Sequence, residues 1–221
     1  MFIGHFAVGF AAKKSAPETS LGTMLMAALW CDLVFGVLML AGMERAAIES
    51  DGRFMPINLI DLPWSHSLLM TLAWALLLGG GYYLLRRRRR GAVWVGLAVL
   101  SHWVLDFISH RPDMTLYPGA TRRFGLGLWD SPAATLVAEG GAFAAAVWLY
   151  CRSSPAQDAV GRWSLLTLVA FLSVLYAATF FSPPPPDIRL VAAGNLLALL
   201  FPPWAAWTDR HRQSSTTPNM G

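Results

Sequence analysis

The chain has 221 residues, 55% hydrophobic and 14% charged, with ten tryptophans, a mean hydropathy of +0.47 and a formal charge of +4. A soluble domain carries about 25% charged residues, so this balance excludes an ordinary water-soluble globule and points to the bilayer as solvent. Five of the seventeen basic residues form one run, Arg86 to Arg90. The positive charge therefore reads as a cytoplasmic anchor, or a contact for anionic lipid, and not as a nucleic-acid footprint.

In chain order, the opening stretch to Ala12 is apolar but short. At ~1.5 Å per residue it reaches about 18 Å, which predicts a half-inserted or interfacial helix. Its lysines follow the apolar stretch, so it lacks the pattern of a secretory leader. Six longer apolar stretches follow, at 23–42, 67–85, 92–109, 132–150, 165–181 and 188–207, each near the ~20 residues a crossing helix needs. Ser65 is placed to cap the helix from 67, and prolines 183–186 make a stiff connector. The predicted fold is all-α: one integral membrane domain over 1–221, a polytopic bundle of about six transmembrane helices plus the short N-terminal one. No internal repeat or soluble domain is visible. Cys31 and Cys151 lie in different stretches without CxxC spacing, which supports neither a disulfide framework nor a thiolate zinc site.

Alternate loops of six spans fall on one side. One side collects Lys13, Lys14, Arg86 to Arg90, Arg152, Arg162, Arg210 and Arg212; the other collects Arg45, Arg53, Arg111, Arg122, Arg123 and Arg189. The positive-inside rule then places both termini in the cytoplasm and the long loops 43–64 and 110–131 outside.

Against this background the ionisable residues within the apolar stretches stand out, because each costs roughly 2.5–3.5 kcal/mol at mid-depth on insertion scales. The densest group is SHWVLDFISH, with His102, Asp106 and His110 at i, i+4 and i+8; His5, Asp32, His66 and Glu139 complete the set. The predicted topology brings all seven to the outer half of the bilayer or its middle, where a cleft open to the outside would gather them. His with carboxylate is the donor set a borderline divalent metal takes. His102 and Asp106 share one helix face and can chelate one ion or bridge two. His102 and His110 are two turns apart, about 12 Å along a straight helix. Either the helix ends before His110, helped by Arg111-Pro112, or more than one metal is held.

At these residues the chain resembles the YdjM-like family of membrane-bound metal-dependent hydrolases of the bacterial inner membrane. The resemblance runs over most of residues 1–140: His5 in GHFAVG, Asp32 in the next stretch, His66 in WSHSLL, then HWVLDFISH, then a Trp and Glu139 in GLGLWDSPAATLVAE. Residues 141–221 add supporting hydrophobic helices. The order is also similar to that of the zinc phospholipase C and P1 nuclease group, all-helical proteins that bind three zinc ions. That resemblance implies His5, Asp32, His66, His102, Asp106, His110 and Glu139 as metal positions. The position four before Glu139 is Thr135 where that group has His, and Met1 stands where it has an N-terminal Trp.

The expected chemistry is metal-assisted hydrolysis of a phosphoester, lipid or lipid-linked, with two or three divalent ions, zinc first. Asp106 or Asp32 would bridge the ions, and the resemblance implies Asp32 as the group that takes the proton of water. Arg111, Arg122 and Arg123, in the loop between the metal-bearing helix and that of Glu139, are candidate substrate anchors. Two alternatives remain: a proton or metal-ion transporter, and a non-catalytic membrane protein whose metal fastens helices together.

Overall fold

The computed structural model describes residues 2–49 and 54–212; Met1 and Arg53 lie outside the described residues. Helix α1 (Phe2–Ser15) leads into α2 (Leu21–Ala28) and α3 (Trp30–Leu40), then a two-stranded antiparallel hairpin, β1 (Arg45–Ile48) and β2 (Ile57–Asp61). Helices α4 (Leu68–Arg86) and α5 (Arg89–Ser109) follow. Next come α6 (Pro132–Thr135), a π-helical turn (Leu136–Gly140) and α7 (Gly141–Ser153), which together make one rod of 22 residues. The chain closes with α8 (Ala159–Phe181), α9 (Ile188–Leu197) and α10 (Phe201–Arg210). Five helical segments are long and apolar enough to cross a membrane, or six if the bent pair α2–α3 counts as one. This fits the predicted all-α membrane bundle, with the β1–β2 hairpin as an addition that the sequence did not signal.

Helix α1 corrects one expectation. It is not an interfacial helix but the centre of the bundle, packed on α2, α5 and α7, with Ile3, His5, Phe6 and Phe10 buried. An interfacial helix keeps a polar face for the headgroups. FIGHFAVGFAA has apolar residues on every side, and a helix apolar all round is buried. Its far end is anchored by Lys13, whose ammonium donates to the carbonyls of Pro17 and Thr19 and pairs with Asp209 at 2.7 Å.

The predicted span 23–42 is broken, with a 50° bend between α2 and α3. At the bend the Ala28 carbonyl accepts a hydrogen bond from His102 Nδ1 at 2.9 Å, and a side chain that enters the helix ladder is a recognised cause of a kink. The bend sets Asp32 in the first turn of α3, where the helix dipole favours a carboxylate.

Helices α4 and α5 form a tight hairpin whose turn lies inside the arginine run, with Arg87 in the left-handed region at φ 55°. Their close approach requires Gly79: a Cβ there would sit 2.9 Å from the Ala92 carbonyl, the small-residue contact of membrane helix pairs. Ser67, not Ser65, caps α4 by accepting from Met70 N–H. Ser65 is occupied elsewhere, as described next. Phe35, Leu59, Leu62, Met114 and Ala192 join α3, the β hairpin, the loop after α5 and α9 into an apolar cluster that frames the site.

Candidate metal centre

The centre is built on Asp106, one turn from the end of α5 and almost wholly buried. Four imidazoles turn their Nε2 atoms to its carboxylate. Oδ1 lies 3.1 Å from His5 and 3.9 Å from His110; Oδ2 lies 3.1 Å from His102 and 3.6 Å from His66. Asp32 adds a second carboxylate, its Oδ1 3.8 Å from both His66 and His102 Nε2. Two groups of three have ligand atoms within 4.8 Å of one another: His5, Asp32 and His102, and His66, His102 and Asp106. Donors held by one ion with bonds of about 2.0–2.2 Å stand about 3.3–3.6 Å apart at a tetrahedral centre. The observed separations bracket that spacing.

His110 joins because α5 stops at Ser109. His110 takes extended backbone angles, φ −73° and ψ 154°, so its ring folds back toward Asp106 and does not continue two turns beyond His102. Of the two ways left open for this residue, the helix end is the one observed. Arg111-Pro112 supplies the cause, since a residue before proline avoids helical angles and shortens the helix upstream.

The outer ring nitrogens fix how the imidazoles face. His102 Nδ1 is on the Ala28 carbonyl. His110 Nδ1 is 3.3 Å from Asp113 Oδ1. His66 Nδ1 is 2.7 Å from Ser65 Oγ, and Ser65 in turn donates to Glu44 Oε2 at 2.6 Å. Since the Ser65 proton goes to Glu44, its oxygen accepts from His66 Nδ1–H. For His66 and His102 the acceptor outside leaves the Nε2 lone pair pointing to the centre, the arrangement characteristic of metal-ligating histidines, while His110 Nδ1 faces Asp113 without a hydrogen bond. His102 Nε2 and His5 Nδ1 are buried and make no hydrogen bond to a described residue. Orphaned buried nitrogens are rare, and a bound cation would satisfy that of His102. The donor set fits a divalent metal.

Asp32, His66, Asp106 and His110 face a cleft of 220 Å³, with Trp129 and apolar residues of the β hairpin on its walls. His5 and His102 stand behind them. The Asp32 side chain is 27% exposed, against 2% for Asp106, so Asp32 is the carboxylate a molecule in the cleft can reach.

Glu139 stands apart. It belongs to neither group of ligand atoms, and its Oε1 accepts from the Trp129 indole N–H at 2.9 Å. Trp129 packs on His110 with 4.3 Å between ring centres, so Glu139 reaches the centre through that indole. Its other oxygen is buried without a hydrogen bond to a described residue. Thr135 donates to the carbonyls of Leu128 and Ser131, a structural use of the position.

The three arginines are also placed differently from the expectation. Arg111 pairs with Glu49 at 2.6 Å and donates to the Met55 and Ile57 carbonyls. Arg123 donates to the carbonyls of Leu59, Ile60 and Asp113. Arg122 lies over the Phe124 ring. Arg111 and Arg123 fasten the β hairpin to the loop after α5, because the hairpin's free carbonyls need donors, and none of the three lines the cleft.

Glu44, Ser65 and Asp113 are site residues that sequence reasoning missed. Glu44 is buried and accepts from the backbone N–H of Trp64 and Ser65 besides the Ser65 hydroxyl. Burial pushes its carboxyl up from the usual range, against these hydrogen bonds. Only the Ser before His66 and the Asp three after His110 could have signalled such partners. Comparison with protein-family models, with curated proteins and with solved structures finds no match to this chain.

Proposed function

We propose that the chain is a membrane-embedded metal-dependent hydrolase that cleaves a phosphoester of a lipid or lipid-linked substrate at a two-ion site, with zinc as the ion. One observation supports this above others: a single buried carboxylate, Asp106, offers each of its oxygens to two imidazoles. The ions would be held by the two groups whose ligand atoms lie close together, His5 with Asp32 and His102, and His66 with His102 and Asp106, and His110 would add to them beside Asp106 Oδ1. Thr135, turned to backbone carbonyls, argues for two ions where the resembling group has three. The ligand order along residues 1–140 supports the same chemistry by resemblance.

Bound divalent ions make water acidic near neutral pH and neutralise charge that develops on a phosphoryl oxygen. The chain supplies the rest. Asp32, open to the cleft and close to His66 and His102, is positioned to take a proton from water. Asp106 and the backing of His66 by Ser65 and Glu44 hold the donors in place before substrate arrives. Phe35, Leu59 and Leu62 keep the cleft walls apolar, which strengthens every charge interaction inside. The distribution of basic residues supports cytoplasmic termini with the cleft toward the outer half, and the family resemblance supports a bacterial inner membrane.

The test is metal analysis of purified protein beside His102→Ala and Asp106→Ala, with a panel of phosphodiesters and lipids. The expected result is about two bound ions, loss of metal in both variants, and turnover in the parent alone. Parent protein without metal would sink the reading. Bound metal with no ester hydrolysed would favour a metal that only fastens helices, and metal uptake into proteoliposomes a transporter.

A further inference from the structure

The cleft does not end at its polar floor. Met55, Ile57 and Thr179 also line a second cavity of 450 Å³ that runs past Leu175, Ala178 and Phe180 to Pro183–Pro185. Together the two reach the few hundred cubic ångströms of a ligand pocket. Most of the side chains that line the second cavity are apolar, with Thr179 and Ser182 the polar ones, and the Thr179 hydroxyl is already given to the Tyr176 carbonyl at 2.7 Å. Leu175 and Ala178 are exposed, so this tract opens sideways along α8, toward whatever apolar medium surrounds the bundle. Among the described residues no lysine or arginine lines either cavity.

A polar side chain also stands in the cleft wall outside the metal centre. Asn195, on α9, lines the cleft half-buried, and its amide makes no hydrogen bond to a described residue. An amide among apolar helices is costly unless it faces an interior partner. Asn195 has both a donor and an acceptor to offer, and it carries no charge. It suits a phosphoryl or ester oxygen whose charge is met elsewhere.

We propose that cleft and tract together bind an amphiphile with a phosphate-ester head and a long apolar chain: the head between Asp106 and Asn195, the chain along Met55, Ile57, Ala178 and Phe180 to the proline segment. The head position rests on the metal-centre reading; the chain position rests on the shared wall of the two cavities. Asn195 is then a substrate-contacting residue in the part of the chain that carries no metal ligand.

The probe is dodecyl phosphate with a diazirine at the chain end, photolysed with metal-loaded protein in nanodiscs and mapped by mass spectrometry, with plain dodecyl phosphate as competitor. Competed labelling is expected within residues 175–185 and at Met55. Ala178→Trp or Leu175→Trp should abolish it with bound metal unchanged. Asn195→Leu should raise the competitor concentration required by roughly five- to tenfold, the worth of one well-placed hydrogen bond. Labelling confined to exposed α4 and α5, or unchanged by both tryptophan variants, would overturn the tract. The two readings separate cleanly: competed labelling without hydrolysis of any ester keeps the tract and ends the hydrolase, while hydrolysis indifferent to chain length, without competed labelling, does the reverse.

Discussion

The imidazoles of His5 and His102 lie face to face, 3.7 Å between ring centres and 4° between planes, and each Nε2 stands 3.1 Å from a different oxygen of Asp106. Two cationic rings in such contact, both buried, would repel strongly at low dielectric. Neutral rings are the form that binds metal. Asp106 thus ties His5 of the first helix to His102 of its own helix. Asp106→Asn keeps its shape but halves its acceptors and removes its charge. The expected outcome is loss of bound metal beyond the ~100-fold seen when outer partners are removed. A chelator should lower the melting temperature of the parent and leave that of Asp106→Asn unchanged.

His66 depends on residues that touch no metal position themselves. Its Nδ1–H is held by Ser65, whose hydroxyl is held by Glu44. Ser65→Ala breaks the relay at its middle, and Glu44→Gln replaces its terminal acceptor. Both should weaken metal binding by about 10- to 100-fold, measured by competition with a chelator. Nitrogen chemical shifts should show His66 protonated at Nδ1 in the parent and a mixture of tautomers in Ser65→Ala. Unaltered affinity in both variants would reduce the relay to packing.

The apolar stretches were legible because lipid and core demand the same thing of them, and four of the predicted spans begin and end within a few residues of the observed helices. That His5, Asp32, His66, His102 and Asp106 belong together was legible too, since ionisable groups in apolar segments have few other uses. Three things were not. The centrality of α1 depends on what packs around it, and length alone suggested a half-inserted or interfacial helix. The bend at Leu29 depends on His102, more than seventy residues away, taking a carbonyl. The arginines looked like anion receptors because hydrogen bonds to backbone carbonyls leave no mark in sequence; Arg123 spends its donors on Leu59, Ile60 and Asp113.

Asp158 caps α8 by accepting from Gly161 N–H at 2.8 Å and pairs with His211 at 2.7 Å. These contacts, the backbone one foremost, hold its carboxyl below the usual range. A depressed folded value gives stability that is present above the unfolded value of about 3.9 and lost as pH falls through the folded one. The melting temperature of the parent should therefore exceed that of Asp158→Ala at pH 6, and the gap should close only on acidification below pH 4. A gap that widens toward acid would contradict the assignment.

Lys13 and Asp209 form the buried tie between the first helix and the last, at 2.7 Å, with side chains 5% and 8% exposed. Asp209 also accepts from Leu21 N–H and the Tyr150 hydroxyl. Lys13→Met leaves that carboxylate buried with two neutral donors and no cation, and Asp209→Leu leaves an ammonium with two carbonyls. Breaking a buried pair from one side costs about 3–5 kcal/mol, whereas replacing both partners with apolar residues of similar size is often neutral. Each single variant should melt well below the parent in the same detergent, and Lys13→Met/Asp209→Leu should recover most of the loss. The double-mutant cycle measures the coupling. Because α1 carries His5, the singles should also release metal at lower temperature than the parent, and additive losses in the cycle would show that the pair does not act as a unit.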